Sequence, residues 1–171
     1  ETAVLIEMTN SGYMKCAKKK GISVETRKVG DRYVLERMKE KDFNIGGEQS
    51  GHIIFLENAT TGDGQLSALM LLCVMKATGK KLSELSSVMQ MYPQTLVNVK
   101  VSDFGKARFP NDEEIKKAIS MAEKELGDKG RVLVRVSGTE PLVRIMIEGK
   151  NEDKINSLAN EIAQVVKERL L

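Results

Sequence analysis

The 171 residues predict an α/β layer with a mixed, mostly parallel sheet. A small α+β domain with an antiparallel sheet and helices on one face follows it. Three observations carry this. Apolar runs of strand length alternate with helical periodicities through the first half. After Tyr92-Pro93 the order changes to β-α-β-β-α, and only Ser137-Gly138-Thr139-Glu140-Pro141 separates the last two strands.

Ala3-Val4-Leu5-Ile6 reads as a buried strand. Asn10 or Ser11 caps a helix running to about Lys20, and Gly21 closes it. The cationic Lys18-Lys19-Lys20 at its end reads as a solvated terminus facing the negative pole of the helix. Ile22 to Val29 alternates as a second strand. Tyr33, Val34, Arg37 and Met38 then share a helical face, with Asp31 as N-cap. Ile53-Ile54-Phe55 is a short strand, Asp63 caps a helix over Gln65 to Thr78, and Lys81 to Met91 reads as one more helix before Pro93. Thr95 to Val101 alternates as a strand. Asn111 followed by Asp112-Glu113-Glu114 opens a helix that runs to Leu126 and stops at Gly127. Arg131 to Val136 and Leu142 to Glu148 are strands. Ile155, Leu158, Ala159, Ile162, Val165 and Val166 repeat at helical spacing. The expected domains are 1–94 and 95–171.

Composition removes several function classes. Hydrophobic residues at 41% and charged residues at 30% support a core and argue against disorder. Net charge is +3, divided as +2 up to residue 95 and +1 beyond, so no concentrated basic field marks a nucleic-acid partner. Trp is absent and aromatics are 4%, too few for base-stacking platforms. The longest apolar run, Leu66 to Val74, is too short for a bilayer. No charged and then apolar leader opens the chain, so the expected compartment is the cytoplasm. Cys16 and Cys73 are expected as reduced thiols packed like small hydrophobes, and one histidine without a Cys-x-x-Cys pair leaves no structural zinc site.

Two segments carry chemistry. Gly46-Gly47-Glu48-Gln49-Ser50-Gly51-His52 places a carboxylate, an amide, a hydroxyl and an imidazole among three glycines, whose positive φ angles would form a tight loop open to a ligand. Glu48 can accept from vicinal hydroxyls, Ser50 both donates and accepts, and imidazole is suited to proton transfer. An ordinary polar turn with a hydrogen-bonded histidine fits the same residues equally well. The second segment, Arg135-Val136-Ser137-Gly138-Thr139-Glu140-Pro141, can gather backbone N–H groups around an anion, with Arg135 adding charge-assisted contacts. A plain β-turn stiffened by Pro141 fits it too. Arg144 falls within a strand, and the sequence leaves open whether it faces solvent or the phosphate site. Gly62-Asp63-Gly64 lacks the oxygen ligands of a calcium loop and reads as a helix start.

Taken together, Gly47-Glu48-Gln49-Ser50-Gly51-His52 and the later Arg135-Val136-Ser137-Gly138-Thr139-Glu140-Pro141 resemble the α-D-phosphohexomutase superfamily. Val29-Gly30-Asp31-Arg32-Tyr33-Val34 and Tyr92-Pro93-Gln94 support the match. Gln49 between Glu48 and Ser50 favours the bacterial phosphoglucosamine mutase branch. Val136 departs from the proline expected there, which relaxes the backbone and removes no phosphate ligand.

The resemblance implies that residues 1–94 are the sugar-binding third domain of a four-domain enzyme and 95–171 the phosphate-binding fourth. It implies an isomerase interconverting glucosamine 6-phosphate and glucosamine 1-phosphate through a phosphoserine and a bisphosphate, a step toward cell-wall precursors. The phosphoserine loop and the Mg2+ loop of that enzyme match nothing in this sequence. The chain therefore reads as a C-terminal fragment, expected to be inactive alone and to hold no cofactor. By the same resemblance, His52 assists proton transfer, and Glu48, Ser50, Gly30 and Asp31 contact the sugar. Arg135, Ser137, Gly138 and Thr139 hold the phosphate that is not being transferred. The expected partners are a hexosamine phosphate or free phosphate and the remaining domains of the enzyme, with no nucleic acid and no membrane. The alternative is a non-catalytic sugar-phosphate binding module.

Overall fold

The computed structural model describes residues 1–171, which divide into two compact units, Glu1–Met91 and Tyr92–Leu171. The first unit runs β1 (Thr2–Ile6), α1 (Ser11–Lys19), β2 (Ser23–Arg27), α2 (Asp31–Lys41), β3 (Ile45–Gly47), β4 (Ile53–Phe55), α3 (Gly64–Thr78) and α4 (Leu82–Ser86). Its sheet has the order β2-β1-β3-β4. β1 pairs in parallel with both β2 and β3, and β3 pairs antiparallel with β4. The mixed, mostly parallel sheet follows from the sequence pattern, because short polar stretches return the chain through helices between parallel strands. Val4, Ile6 and Ile54 on one face of this sheet form a core with Val34 and Met38 of α2.

Local chemistry explains most element ends. The Asn10 side chain accepts from the Gly12 amide at 3.0 Å to start α1. Asp63 accepts from the amides of Gln65 at 2.9 Å and Leu66 at 3.0 Å to start α3. Helix α2 differs from expectation. Gly30, at φ 132°, is its N-cap, and Asp31 is its first helical residue, so the turn uses a backbone angle that Asp would adopt only under strain. The helix expected over Lys81 to Met91 ends at Ser86. Helix α3 is apolar around its circumference and buries none of its residues, with Leu69, Leu72 and Val74 all exposed. Cys73 lies on this helix and is exposed, contrary to the packed thiol expected. Cys16 is half-buried and donates its thiol to the Val88 carbonyl at 3.3 Å. Hydrophobicity alone placed Cys73 in a core that α3 does not share.

The second unit runs β5 (Gln94–Lys100), α5 (Asp103–Arg108), α6 (Glu113–Leu126), β6 (Gly130–Val136), β7 (Leu142–Gly149) and α7 (Glu152–Leu170). Its sheet has the order β5-β7-β6 and is wholly antiparallel. Alternation sends Val99, Val143, Ile145 and Ile147 into one core with Ile115 of α6 and Ile155, Ile162 and Val166 of α7. Helix α5 was not foreseen. Six residues are too few for a periodic signal, and its start is set by the Ser102 hydroxyl accepting from the Gly105 amide at 2.9 Å.

Asp112, rather than Asn111, caps α6. Its carboxylate accepts from the Ile115 amide at 3.2 Å, Arg169 Nε at 3.1 Å and Arg108 at 3.3 Å, with its side chain 1% exposed. Burial pushes this carboxyl up, yet the amide and the two guanidinium groups outweigh burial and hold it below the ordinary value. A lowered folded-state value means stability that is present above the unfolded-state pKa and lost as pH falls through the folded one. Asp112→Asn keeps a capping oxygen and loses the charge. It should cost about 1 kcal/mol at neutral pH, since both arginines are partly solvated. Urea midpoints of variant and parent should draw together as pH falls below the ordinary carboxyl value of about 3.9 and through the lowered folded-state one. A gap as wide at pH 2.5 as at pH 7 would show that the charge is not what Asp112 supplies.

Candidate functional site

In a parallel α/β sheet, the loops after the strand carboxyl ends gather at one edge, where ligands of such sheets bind. In the first unit that edge carries the residues singled out from sequence. β3 ends at Gly47 and leads into the turn Glu48–Gly51, and β2 leads through Val29 to Gly30 and Asp31 at the start of α2. The turn is closed by the Glu48 amide donating to the His52 carbonyl at 2.9 Å and the Gly51 amide donating to the Glu48 carbonyl at 3.1 Å. Gly51 has φ 97°. Glu48 is half-buried, while Gln49, Ser50 and His52 are exposed, so their polar groups stand open at the tip. His52 Nε2 lies 3.8 Å from Asp31 Oδ2, which brings the two sequence segments together.

The expectation that all three glycines serve an open loop is corrected. Only Gly51 uses a positive φ. Gly46 and Gly47 are strand residues, buried, with Gly46 paired to Val4 on one side and Ile54 on the other. A Cβ on Gly46 would stand within 3 Å of Met38, Val34 and the Val4 carbonyl. Its smallness serves helix–sheet packing and not ligand access. An adjacent cavity of about 320 Å³ is lined by Leu5, Tyr13, Ile53, Met89 and Met91 together with Glu48 and Gln49. Its mostly apolar wall is unsuited to a polyhydroxy ligand.

In the second unit, Arg135 of β6 stands directly opposite Arg144 of β7, and Asn98 of β5 flanks Arg144 on its other side. Paired residues project from the same face, so Arg144 belongs with Arg135, which the sequence left open. The Arg144 guanidinium donates to the Glu140 carboxylate. Both arginines are half-buried. Like charges directly opposite across strands destabilise a sheet, and an anion at this row would relieve them. The adjoining turn is tight: the Ser137 amide donates to the Leu142 carbonyl at 2.8 Å, and the Ser137 hydroxyl accepts from the Glu140 amide at 3.3 Å. Ser137 is 3% exposed, and its hydroxyl proton remains for a further acceptor. The amides of Gly138 and Thr139 take part in no hydrogen bond within the protein, and a Cβ on Gly138 would meet open space. The nest expected from sequence thus reduces to these two amides beside two guanidinium groups.

A family model for the phosphoglucomutase/phosphomannomutase alpha/beta/alpha domain III matches residues 2–92, and one for the C-terminal domain of the same family matches residues 96–165. The chain belongs to the phosphoglucomutase/phosphomannomutase family. It is 52% identical over 169 residues to a phosphoglucosamine mutase of Caldanaerobacter subterraneus subsp. tengcongensis and 51% identical over 170 residues to that of Bacillus subtilis. In each case 99% of this chain is covered but only 38% of the relative. The chain therefore spans well under half the length of the curated relatives it matches. Among solved structures, N-acetylphosphoglucosamine mutase of Aspergillus fumigatus in complex with GlcNAc-6P and magnesium superposes with a TM-score of 0.84 at 18% identity. The match covers 99% of this chain and 39% of that one. At that identity the likeness speaks for the fold.

Within this phosphohexomutase frame, no group of three or more His, Cys, Asp or Glu residues is arranged to hold a metal ion. No helix is long and apolar enough to cross a membrane. Arg144 is the residue beside the site whose facing the sequence left open. The sequence carried no signal for it: a turn over 137–141 would set 143 opposite 135, and the observed register, with Val136 opposite Val143, sets 144 there.

Proposed function

We propose that these residues are the sugar- and phosphate-binding part of a phosphoglucosamine mutase, an isomerase interconverting glucosamine 6-phosphate and glucosamine 1-phosphate. The observation that carries this reading is the presence of both polar loops in a chain 51–54% identical to phosphoglucosamine mutases along 99% of its length. In that reaction a phosphoserine gives its phosphoryl group to the free hydroxyl of the sugar phosphate. The resulting bisphosphate turns over, and its other phosphoryl group returns to the serine.

The work of this segment is positioning, which dominates phosphoryl transfer because little covalent chemistry falls to the surrounding side chains. Glu48 accepts hydrogen bonds from neighbouring sugar hydroxyls, and Ser50 can donate or accept as either end of the bisphosphate arrives. His52 takes the proton from the attacking hydroxyl or returns one to the departing oxygen. Gly30 and Asp31 border the sugar from α2. Arg135, Arg144, Ser137 and the amides of Gly138 and Thr139 hold the phosphate that is not in transfer. Such a division suits an intermediate that must present either end, because a hydroxyl-reading turn tolerates two sugar orientations while the anion site grips the same dianion in both. Magnesium belongs to the full mutase through other residues; those present offer no acidic cluster to hold it.

The partners of the chain are therefore hexosamine phosphates and the rest of the mutase polypeptide. Purified alone, the chain should bind glucosamine 6-phosphate by calorimetry and give no glucosamine 1-phosphate in a coupled assay. Absence of sugar-phosphate binding would overturn the binding role. Measurable turnover would overturn the assignment of the reaction's phosphoryl donor to other residues.

A further inference from the structure

The segment Gly62-Asp63-Gly64 has no part in the reading above, yet it lies against the one imidazole of the molecule. A Cβ on Gly62 would come within 3.0 Å of Cγ, Cδ2 and Nε2 of His52, so the ring occupies the space a side chain would need. Gly62 does not have a positive φ, so no φ strain bars a side chain there, and what a Cβ would displace is the imidazole. The segment is itself held. Asp63 accepts from the Gln65 and Leu66 amides, and its carbonyl accepts from the Ser67 amide at 2.9 Å and the Ser67 hydroxyl at 2.7 Å. The Asp31 carboxylate stands 3.8 Å from Nε2 of the same ring. Below the ring, the His52 carbonyl accepts from the Glu48 amide, and a Cβ on Gly47 would run into that carbonyl. The imidazole is exposed but confined.

We infer that Gly62 and Asp31 are positioning residues for His52: the bare Cα of Gly62 is the rest on which the imidazole lies, and Asp31 holds its Nε2 edge. The inference rests on the proton-transfer role proposed for His52. A ring that must serve a hydroxyl at one end of a sugar phosphate and then at the other gains from a fixed seat, because displacement by about 1 Å can cost up to a hundredfold in rate. The seat also gives Asp31 a role other than direct sugar contact. The turn into α2 places its carboxylate, and α3, capped by Asp63, places the glycine.

His52 is the only histidine, so its Cδ2–H and Cε1–H resonances are identified without ambiguity in a 1H–13C spectrum of this chain. Cross-relaxation between the Gly62 α protons and the Cδ2 proton is expected. Gly62→Ala should abolish the native ring position and shift both imidazole resonances, and Asp31→Asn should shift them as well. Gly64→Ala is the control, because a Cβ there meets nothing within 4 Å, and it should leave them in place. Imidazole resonances unmoved in Gly62→Ala, or moved as far in Gly64→Ala, would overturn the seat. The kinetic arm places these 171 residues in the matching part of the Bacillus subtilis mutase. There Gly62→Ala should lower kcat at least about tenfold while KM changes less than about twofold. A displaced ring with unchanged kcat would overturn the positioning role. An unmutated hybrid that folds but has no mutase activity would instead overturn the proposed reaction, and the spectroscopic result would still decide the seat.

Discussion

Gly46→Val is expected to unfold the first unit while leaving the second intact. Gly46 lies in β3 between Val4 and Ile54, in register with both neighbours, so it cannot move aside without breaking two ladders. Even an alanine Cβ would press within 3 Å on Met38 Sδ, Val34 Cγ1 and the Val4 carbonyl. The methionine can yield, because its thioether is flexible. The carbonyl of the adjoining strand cannot. Overpacking of this kind costs about 1–3 kcal/mol for a small addition, and the branched valine adds two further methyl groups in the same space. The core it disrupts is small, comprising Val4, Ile6, Val34, Met38 and Ile54. Amide exchange should show loss of protection in β1 and β3 with β7 still protected, since the second core shares no residue with the first. Retained protection of β1 in the valine variant would show that α2 does not press on the sheet at Gly46.

Arg135→Ala should weaken binding of glucosamine 6-phosphate to the chain by about ten- to a hundredfold, the range of a lost charge-assisted hydrogen bond. The geometry makes the effect larger than for an isolated surface arginine. Arg135 and Arg144 face each other across paired strands, where like charges repel, and Glu140 pairs with Arg144. A phosphate dianion between them gains attraction from both and removes that repulsion. Arg135→Lys should recover only part of the affinity, because an ammonium cannot reproduce a bidentate contact. Arg108→Ala provides the comparison. Arg108 pairs with Asp112 at the start of α6, and its loss should leave affinity within about twofold. Equal calorimetric affinities for Arg135→Ala and the parent chain would remove the anion site from this hairpin.

The elements that were legible in sequence are those whose signal is local. Asn10 and Asp63 announce their helices because a capping oxygen needs only the next two or three amides. β6, β7 and α7 follow from unbroken periodicity. Elements decided by only a few residues were not legible. α5 has six residues and a serine cap, and the segment after Ser86 kept helical composition without becoming helix.

For the candidate site, sequence by itself determined which groups are present: a carboxylate, hydroxyl and imidazole around Glu48, Ser50 and His52, and a cation followed by two hydroxyls flanking a glycine at Arg135, Ser137, Gly138 and Thr139. Their order along the chain was enough to suggest a sugar phosphate. Only tertiary structure decided why Gly46 is a glycine, that Arg144 stands opposite Arg135, and that Asp31 and Gly62 flank one imidazole. The physical reason is range. Capping and periodicity act over a few bonds, whereas a steric exclusion or a charge pair depends on which strand or loop folding brings alongside, and residues as distant in sequence as Val4 and Gly46 give no local sign of it.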